Sequence, residues 1–361
     1  YRGFYCVGCE EFKTEKNLVN GECPEHSGKR LEEIEEENYF FRLSSYQGKL
    51  LELIESGTLR IIPESRKNEI TSFIRSGLED FSVSRTAGRA KGWGIPVPND
   101  PDQYLYVWYD ALANYITALG YASDYDTYKK YWVSAENRTH MIGKGINRFH
   151  TVYWPAMLLS AGVPLPTEVF VHGYIISGGQ KMSKSVGNVI DPNELLDRYG
   201  TDAVRYFLLR HGHPTEDFDM TDERCREWYT ANLTNGLGNL VARVMQMATL
   251  HLEGPVEITK ETGSDVAVWQ YTKVFEFNRA MDAIWERIGH DDALIAIKKP
   301  FVGVKSEDSN VRDEALLIIK KLVRELNAIA IDLEPFMPTT SAKIKEAVLN
   351  HKKPENLFPR L

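Results

Sequence analysis

The spacing of apolar and polar residues divides the chain into an α/β part followed by an all-α part. Residues 1–80 consist of short, charged and turn-rich segments. From residue 81 to 176, strand-like apolar runs alternate with helical periods. The runs are Leu105 to Trp108, Thr139 to Ile142 and Val169 to Val171, and the helical periods are Ala111 to Leu119 and Ile146 to Ser160. This alternation predicts βα units on a parallel sheet, with ligand-binding loops at the strand ends.

The pattern becomes helical in the second half of the chain. Residues 177–221 are predicted to form a linking segment, in which a glycine-rich loop precedes a helix that begins at Asp191-Pro192. From residue 222 to 361 the apolar spacing is helical throughout. It predicts helices near residues 223–250, 266–288, 311–333 and 340–349. The last part is therefore expected to be an α-helical bundle.

Composition narrows the class of protein. With 361 residues, 43% hydrophobic and 26% charged, the chain is typical of a globular protein of two or three domains. Its apolar runs are far shorter than a membrane span, so we expect no membrane partner. Because the net charge is −8, a nucleic acid would have to meet a local basic patch. The first residue is Tyr1, so we expect a preceding piece of the polypeptide, which would carry any organellar signal of an otherwise cytoplasmic protein.

Three cysteines and a histidine near the start have the spacing of metal ligands. Cys6-Val7-Gly8-Cys9 and Cys23-Pro24-Glu25-His26 form two short knuckles separated by thirteen residues. Three thiolates and one imidazole bind Zn²⁺ tetrahedrally, and such a site has no position left for water. The pattern therefore predicts structural Zn²⁺. The alternative is a set of reduced cysteines beside a surface histidine, which the paired spacing disfavours.

A lysine-containing loop lies between a strand-like run and a helix. Its sequence is Gly178-Gly179-Gln180-Lys181-Met182-Ser183-Lys184-Ser185-Val186-Gly187-Asn188. The glycines predict mobility, and the ammonium groups of Lys181 and Lys184 can close over a triphosphate. Attack on an α-phosphate builds negative charge on the pyrophosphate, so lysines there stabilise the transition state, and Ser183 and Ser185 add hydroxyl donors. The spacing of a Walker loop is absent, and the alternative is a solvated basic loop.

Lys181-Met182-Ser183-Lys184-Ser185 is the signature pentapeptide of class I aminoacyl-tRNA synthetases, and the chain resembles this family. It resembles the methionyl-tRNA synthetases in particular, because the zinc knuckle and several further segments occur in the order of that family. Those segments are Ser84-Arg85, Trp93 to Pro96, Val107 to Leu112, Phe149 to Ala156 and His172 to Tyr174. The resemblance covers nearly the whole chain.

The resemblance implies a domain organisation and a reaction. Residues 81–176 would be the second half of a Rossmann-like catalytic domain, and residues 1–80 a connective insertion with the zinc knuckle. Residues 177–221 would hold the lysine loop and a linking segment, and residues 222–361 an anticodon-binding bundle. The reaction would be the ligation of L-methionine to tRNA(Met) through methionyl-adenylate, with ATP and Mg²⁺ as substrate and AMP and pyrophosphate as products. DNA is not expected as a partner.

The resemblance also implies residues for two small-molecule sites. Those of the methionine site are Trp108, Ala111, Leu112, Tyr115 and His150. Methionine has an unbranched, uncharged side chain, which suits aromatic walls and few polar groups. Those of the ATP site are Gly143, Lys144, Lys181, Met182 and Lys184. Without the motifs, the aromatic residues would be core packing and the histidine a hydrogen-bonded core residue.

The predicted helix over residues 223–250 carries a polar stripe. At ~100° per residue, Asn235, Asn239 and Arg243 lie opposite its apolar face. Amide and guanidinium groups can hydrogen-bond the edges of unstacked RNA bases, and the alternative is a solvated helix face. By resemblance, Asn239 and Arg243 match the anticodon-contacting pair of the family. Phe301 stands in place of a family tryptophan that stacks on an anticodon base.

Two features depart from the family pattern. The His-x-Gly-His signature of class I synthetases is expected upstream of Tyr1, so we expect the fragment alone to be inactive. Gly145 stands where many relatives have an aspartate, which removes a carboxylate near the adenosine site.

Two other functions stay open at this point. One is a class I synthetase for another apolar amino acid, although the valine, isoleucine and leucine enzymes carry larger editing insertions than this chain has. The other is a non-catalytic, zinc-containing RNA-binding fragment. Activation of methionine by the intact protein separates the first alternative from our prediction, and the sequence upstream of Tyr1 separates the second.

Overall fold

The computed structural model describes residues 2–8, 11–13, 18–24, 28, 30–182, 187–258 and 265–361. The chain divides into two compact units, Tyr1–Val171 and His172–Leu361. Each unit has a hydrophobic core of its own. Among the helices in these described ranges, none has the length and apolar character needed to cross a bilayer.

The first unit is mixed α/β. Its strands are β1 (Arg2–Cys6), β2 (Glu11–Lys13), β3 (Glu32–Glu35), β4 (Phe40–Phe41), β5 (Arg60–Ile62), β6 (Phe81–Ser82), β7 (Ser84–Thr86), β8 (Pro96–Val97), β9 (Asp100–Leu105), β10 (Thr139–Gly143) and β11 (Glu168–His172). Its α-helices are α1 (Gln47–Glu55), α2 (Glu64–Arg75), α3 (Ala87–Ala90), α4 (Val107–Thr117), α5 (Tyr125–Tyr128) and α6 (Trp154–Ala161). Strand β1 pairs antiparallel with β2 and β3, and a second sheet has the order β10, β11, β5.

The core of the first unit extends across the predicted domain boundary at residue 80. Strand β5 runs parallel to β11, with Ile61 opposite Val169. Helices α1 and α2 bury Leu50 and Ile74 in the same cluster as that strand pair. A boundary at residue 80 would therefore divide one sheet and one core. Strand β5 has only three residues, too few to show a hydrophobic period, so this pairing was not predictable from the sequence pattern.

The predicted strand from Leu105 to Trp108 is wrong. Strand β9 ends at Leu105, Tyr106 is extended, and helix α4 begins at Val107. A short apolar run fits a buried strand and a helix start equally well. Asp110 in the first turn of α4 is the signal for a helix, because a carboxylate there interacts favourably with the helix dipole. Trp108 is therefore a helical residue.

The second unit is mainly helical. Its strands are β12 (Ile175–Ser177), β13 (Gln180–Lys181) and β14 (Phe218–Asp219). Its α-helices are α7 (Pro192–Tyr199), α8 (Thr201–Tyr206), α9 (Asp222–Trp228), α10 (Asn239–His251), α11 (Val266–Lys273), α12 (Phe277–Lys298), α13 (Pro300–Gly303), α14 (Ser309–Leu333) and α15 (Pro338–Leu349). The predicted helices over 311–333 and 340–349 correspond to α14 and α15.

Two of the predicted helices differ in detail. The one over residues 266–288 is two helices, since α11 ends at Lys273 and Phe275 has a positive φ of 63°. The one over residues 223–250 is π-helical in its middle, Tyr229–Gly238, between α9 and α10. A Cβ added at Gly238 would lie 3.0 Å from the carbonyl oxygen of Leu233, so glycine permits this packing.

The linking segment packs on the helical bundle. The guanidinium of Arg205 in α8 donates from Nε to the carbonyl of Phe336 and from Nη2 to that of Pro335, each at 2.7 Å. Leu195 and Tyr206 lie in the same buried cluster as the long helices α12 and α14. The predicted boundary between residues 221 and 222 therefore falls inside one core.

Candidate functional site

Helix α4 carries four of the predicted methionine-site residues on one side. Trp108, Ala111, Leu112 and Tyr115 follow at intervals of three, one and three residues, which places them on one helical face. Leu112 is buried and the other three are half-buried. Trp108 stacks on Phe149, with ring centroids 4.2 Å apart and planes inclined by 10°. This face of α4 is therefore an aromatic wall at the edge of the core.

The fifth predicted residue, His150, is hydrogen-bonded to Tyr115. It is 1% exposed, with Nδ1 2.9 Å from the carbonyl oxygen of Ile146 and Nε2 2.8 Å from Tyr115 Oη. A carbonyl oxygen only accepts, so Nδ1 carries the hydrogen. Burial lowers the pKa of His150 and raises that of Tyr115. The imidazole is therefore neutral near pH 7, and its Nε2 accepts the phenol hydrogen.

A second histidine, His140, belongs to the same cluster, although it was not predicted from the sequence. Its ring centroid lies 4.2 Å from that of Tyr115 and 5.9 Å from that of His150. Its Nε2 accepts a hydrogen bond from Trp154 Nε1 at 3.2 Å. Burial, and then the nearby His150, lower the pKa of His140 to about 4. The available signal was alternation on strand β10, where His140 and Ile142 are both buried.

These contacts make an uncharged aromatic enclosure. Both histidines are neutral near pH 7. Both ring nitrogens of His150 and the Nε2 of His140 bond to neighbours within the unit. A charged ligand side chain would lose hydration here without gaining a counter-ion from these groups. The cluster can therefore hold an apolar, uncharged side chain against its aromatic faces.

The predicted ATP-site residues of this unit lie at the end of strand β10. Gly143 is the last residue of the strand, and Lys144 begins a 3₁₀ turn that ends at Ile146. The carbonyl of Ile146 is the one that accepts from His150. Ligands of α/β proteins bind where strands end. The turn thus joins a strand end to the aromatic enclosure.

The lysine loop begins with a tight hairpin. Strands β12 and β13 pair antiparallel, with Ile176 opposite Lys181. Between them, Gly178 and Gly179 have positive φ values of 62° and 75°. Two left-handed residues are what a two-residue hairpin turn requires, which glycine supplies without strain. These glycines therefore shape a turn, rather than only giving the mobility that the sequence predicted.

The hairpin exposes the first lysine of the pentapeptide. Lys181 is exposed, and its Nζ lies 5.0 Å from the ring centroid of Tyr174. Met182 is half-buried. After the pentapeptide, the Asn188 amide donates to the carbonyls of Ser177 and Lys181, at 3.4 Å in each case. This amide ties the two ends of the loop together. The remaining predicted residues of the loop, Ser183, Lys184 and Ser185, lie outside the described residues.

Half of the predicted zinc ligands can be located. Cys6 ends strand β1 and is 2% exposed, and Cys23 is fully buried. Cys9 and His26 lie outside the described residues. Buried thiols in a short segment fit the predicted donor set, because structural zinc sites hold thiolates away from water.

The predicted RNA-reading residues lie on the second unit. Asn235 and Asn239 are exposed, and Phe301 in the short helix α13 is 44% exposed. Arg243 is half-buried in α10, and its Nη1 lies 3.0 Å from Oδ1 of Asp292 in α12. Asp292 was not predicted from the sequence, because it lies forty-nine positions from its partner in the chain.

The known proteins that are similar to this chain agree with one another in family. The family described as "tRNA synthetases class I (M)" matches residues 1–245. The methionine–tRNA ligase of Caldanaerobacter subterraneus subsp. tengcongensis is 44% identical over 359 residues, which are 96% of this chain and 55% of that protein. The methionine–tRNA ligase of Nostoc sp. is 42% identical over 361 residues, 95% of this chain and 66% of that protein.

A solved structure is similar over the whole chain. The methionyl-tRNA synthetase of Mycobacterium tuberculosis, in complex with methionyl-adenylate, matches with a TM-score of 0.86 and 35% identity. The match covers 100% of this chain and 76% of that one. The chain spans about half the length of the first curated relative, 55%.

Proposed function

The chain belongs to the methionyl-tRNA synthetase family of class I tRNA synthetases, and from this membership we propose that the protein ligates L-methionine to tRNA(Met). The observation that carries the proposal is the uncharged enclosure of Tyr115, His140, His150 and Trp154 beside the end of strand β10. An enclosure of this kind selects an apolar side chain, and the adjoining strand end suits a nucleotide.

The proposed reaction has two steps. A carboxylate oxygen of methionine attacks the α-phosphorus of ATP, the bond to the bridging oxygen breaks, and pyrophosphate leaves. A hydroxyl of the terminal tRNA ribose then attacks the carbonyl carbon of the adenylate, and AMP leaves as the ester forms. Neither step needs a covalent bond to the protein. The protein holds the reacting groups in place and stabilises developing charge.

The proposed methionine site is the face of α4 together with His150. Trp108 and Tyr115 supply aromatic surface, Ala111 leaves space between them, and Leu112 anchors the face in the core. The neutral ring of His150 holds the phenol of Tyr115 in one orientation. A polarizable thioether packs well on such faces.

We propose ATP-binding residues for each unit separately. In the first unit, Gly143 and Lys144 would contact the nucleotide at the end of β10. In the second, Lys181, Met182 and Lys184 would lie along the phosphates, with hydroxyl donors from Ser183 and Ser185. Mg²⁺ would accompany ATP as part of the substrate. The two ammonium groups act on the leaving pyrophosphate, where negative charge increases as the bond breaks.

Structural zinc is proposed for Cys6, Cys9, Cys23 and His26. The ion would fix a segment whose strands, β1 and β2, are too short to form a large core of their own. We propose a cytoplasmic location, as expected from the sequence.

Removing the metal should loosen the zinc segment selectively. Chelation is expected to lower the melting temperature and to expose residues 1–35 to protease. The described part of this segment contributes no residue to the hydrophobic clusters of the unit, so little packing replaces the lost ligand bonds. Zinc content by atomic absorption and limited proteolysis, with and without chelator, give the measurement. A zinc-free preparation with undiminished stability and protease resistance contradicts the proposed site.

The bundle is proposed to bind the anticodon loop. Asn235, Asn239 and Arg243 would contact base edges, and Phe301 would stack on a base. Exposure of both asparagines and of Phe301 supports this role. DNA and membranes are not proposed as partners.

The reaction is tested by amino-acid-dependent exchange of pyrophosphate into ATP by the natural full-length protein. We expect exchange with methionine and none above background with leucine or valine, because a site that packs an unbranched thioether on flat aromatic faces favours it over branched side chains. Activation of leucine or valine instead of methionine points to a sister synthetase. Absence of exchange with any amino acid, together with specific RNA binding, favours a non-catalytic protein.

A further inference from the structure

An ion pair ties the proposed RNA-reading helix to its neighbour. The Nη1 of Arg243 in α10 lies 3.0 Å from Oδ1 of Asp292 in α12. Both side chains are partly accessible, 38% for Arg243 and 31% for Asp292. The pair therefore lies at the surface of the bundle, where a bound RNA can reach it.

Stability alone gives little reason for this pair. Burial raises the pKa of Asp292, and the positive charge of Arg243 lowers it by less. The carboxylate thus loses more favourable hydration than its attraction to Arg243 replaces. Partly exposed ion pairs contribute little to the free energy of folding. What the pair does provide is geometry. An arginine bonded at one nitrogen has fewer accessible rotamers, so its other N–H groups keep a narrower range of directions.

A carboxylate beside an RNA site also carries a cost. Its charge repels phosphates, and in pairing with Arg243 it cancels the positive charge that would attract them. Such an arrangement weakens non-specific attraction and leaves directional hydrogen bonds as the main contribution of the arginine. Directional bonds to base edges are what distinguish one base from another.

We propose that Asp292 is a positioning residue that orients Arg243 for reading a base of the anticodon loop. This inference rests on the proposed function of the bundle. Asp292 does not have to touch the RNA. It fixes the donor that does, and it lowers the share of binding that comes from charge alone.

The proposal is tested with the natural full-length protein and two hairpin RNAs. One hairpin carries the methionine anticodon loop, and the other differs from it in the first anticodon base. The variants are Asp292→Ala, Asp292→Asn, Arg243→Ala and the Arg243→Ala/Asp292→Ala double variant. The matched control is Asp282→Ala, because Asp282 is also on α12 and also bonds an arginine, Arg210 Nε, at 3.0 Å. Fluorescence anisotropy gives Kd, and melting temperature and methionine-dependent pyrophosphate exchange are measured in parallel.

The expected results separate orientation from folding. Asp292→Ala should weaken binding of the matching hairpin about tenfold and reduce the discrimination between the hairpins. Asp292→Asn should stay within about twofold of the wild type, since the amide oxygen still accepts from Arg243. The double variant should bind like Arg243→Ala, because the two substitutions remove the same interaction. Pyrophosphate exchange and the melting temperature of the Asp292 variants should match the wild type, and so should RNA binding by the Asp282→Ala control.

Four results would overturn the inference. The first is wild-type or tighter binding by Asp292→Ala, since the carboxylate would then do nothing or only repel RNA. The second is full additivity in the double variant. The third is equal loss of binding in Asp292→Ala and Asp282→Ala. The fourth is a loss of binding that is matched by a lower melting temperature in both Asp292 variants. A wild-type protein that binds both hairpins equally would instead refute the anticodon role itself, and the wild-type measurement alone reveals that case.

Discussion

Replacing Lys184 with alanine is expected to slow methionyl-adenylate formation about 100-fold or more and to leave the affinity for methionine nearly unchanged. The reason is that negative charge on the pyrophosphate increases only after methionine has bound. Methionine binds before any bond breaks, so its affinity does not depend on an ammonium group near the pyrophosphate. As the bridging bond breaks, the leaving oxygens become more negative, and without the ammonium group of Lys184 the transition state is less stabilised. Rapid-quench measurement of adenylate formation, with methionine Kd from fluorescence quenching, separates the two effects.

Lys320→Ala is the matched control for Lys184→Ala. Lys320 is an exposed lysine of helix α14 in the same unit, outside the lysine loop. Its removal changes the net charge by the same amount and should leave the rate unchanged. An unaltered rate in Lys184→Ala would refute the transition-state role of that lysine. Equal slowing in both variants would assign the effect to overall charge.

The fold was predictable where long periods specify an element. The class I synthetase fold, with its α/β and helical parts, is confirmed by the family match and by the structural likeness. Helices such as α14, with 25 residues, carry several turns of amphipathic pattern. Strand β5 has three residues, so its place beside β11 depends on contacts distant in sequence. The π-helical stretch before α10 likewise depends on close packing at Gly238, which a periodicity of ~100° per residue does not encode.

Some residues of the candidate site were likewise predictable from the sequence, and others were not. Tyr115 and His150 were singled out by motifs, and in the structure Tyr115 Oη lies 2.8 Å from His150 Nε2. His140 and Asp292 belong to no motif and are identified only by their contacts with a residue on another element. Single-sequence patterns report what is near along the chain, whereas hydrogen bonds and ion pairs join residues far apart. The zinc knuckle, the loop lysines and the RNA-reading stripe remain predictions.

Replacing His150 with alanine is expected to lower kcat/KM for methionine about 30-fold and to change the KM for ATP little. Without the imidazole, the phenol of Tyr115 loses its acceptor at 2.8 Å, and a hole opens where the ring was buried. The aromatic wall then loses its fixed shape, which weakens binding of methionine and of the adenylate alike. Exchange kinetics at varied methionine and varied ATP measure both constants. His290→Ala, which removes an exposed histidine of α12, is the control.

The pH dependence of the wild type gives an independent check on the same residue. The proposed active form has a neutral His150, and burial lowers the pKa of that ring from its ordinary 6.5. Protonation therefore requires a pH below 6.5, so kcat/KM for methionine should stay level down to that pH and fall only beneath it. If the acid limb lay above pH 6.5 and disappeared in His150→Ala, the imidazole would be charged in the neutral range. The bond from Tyr115 would then have no acceptor, and the enclosure would not be the uncharged site on which methionine selection depends.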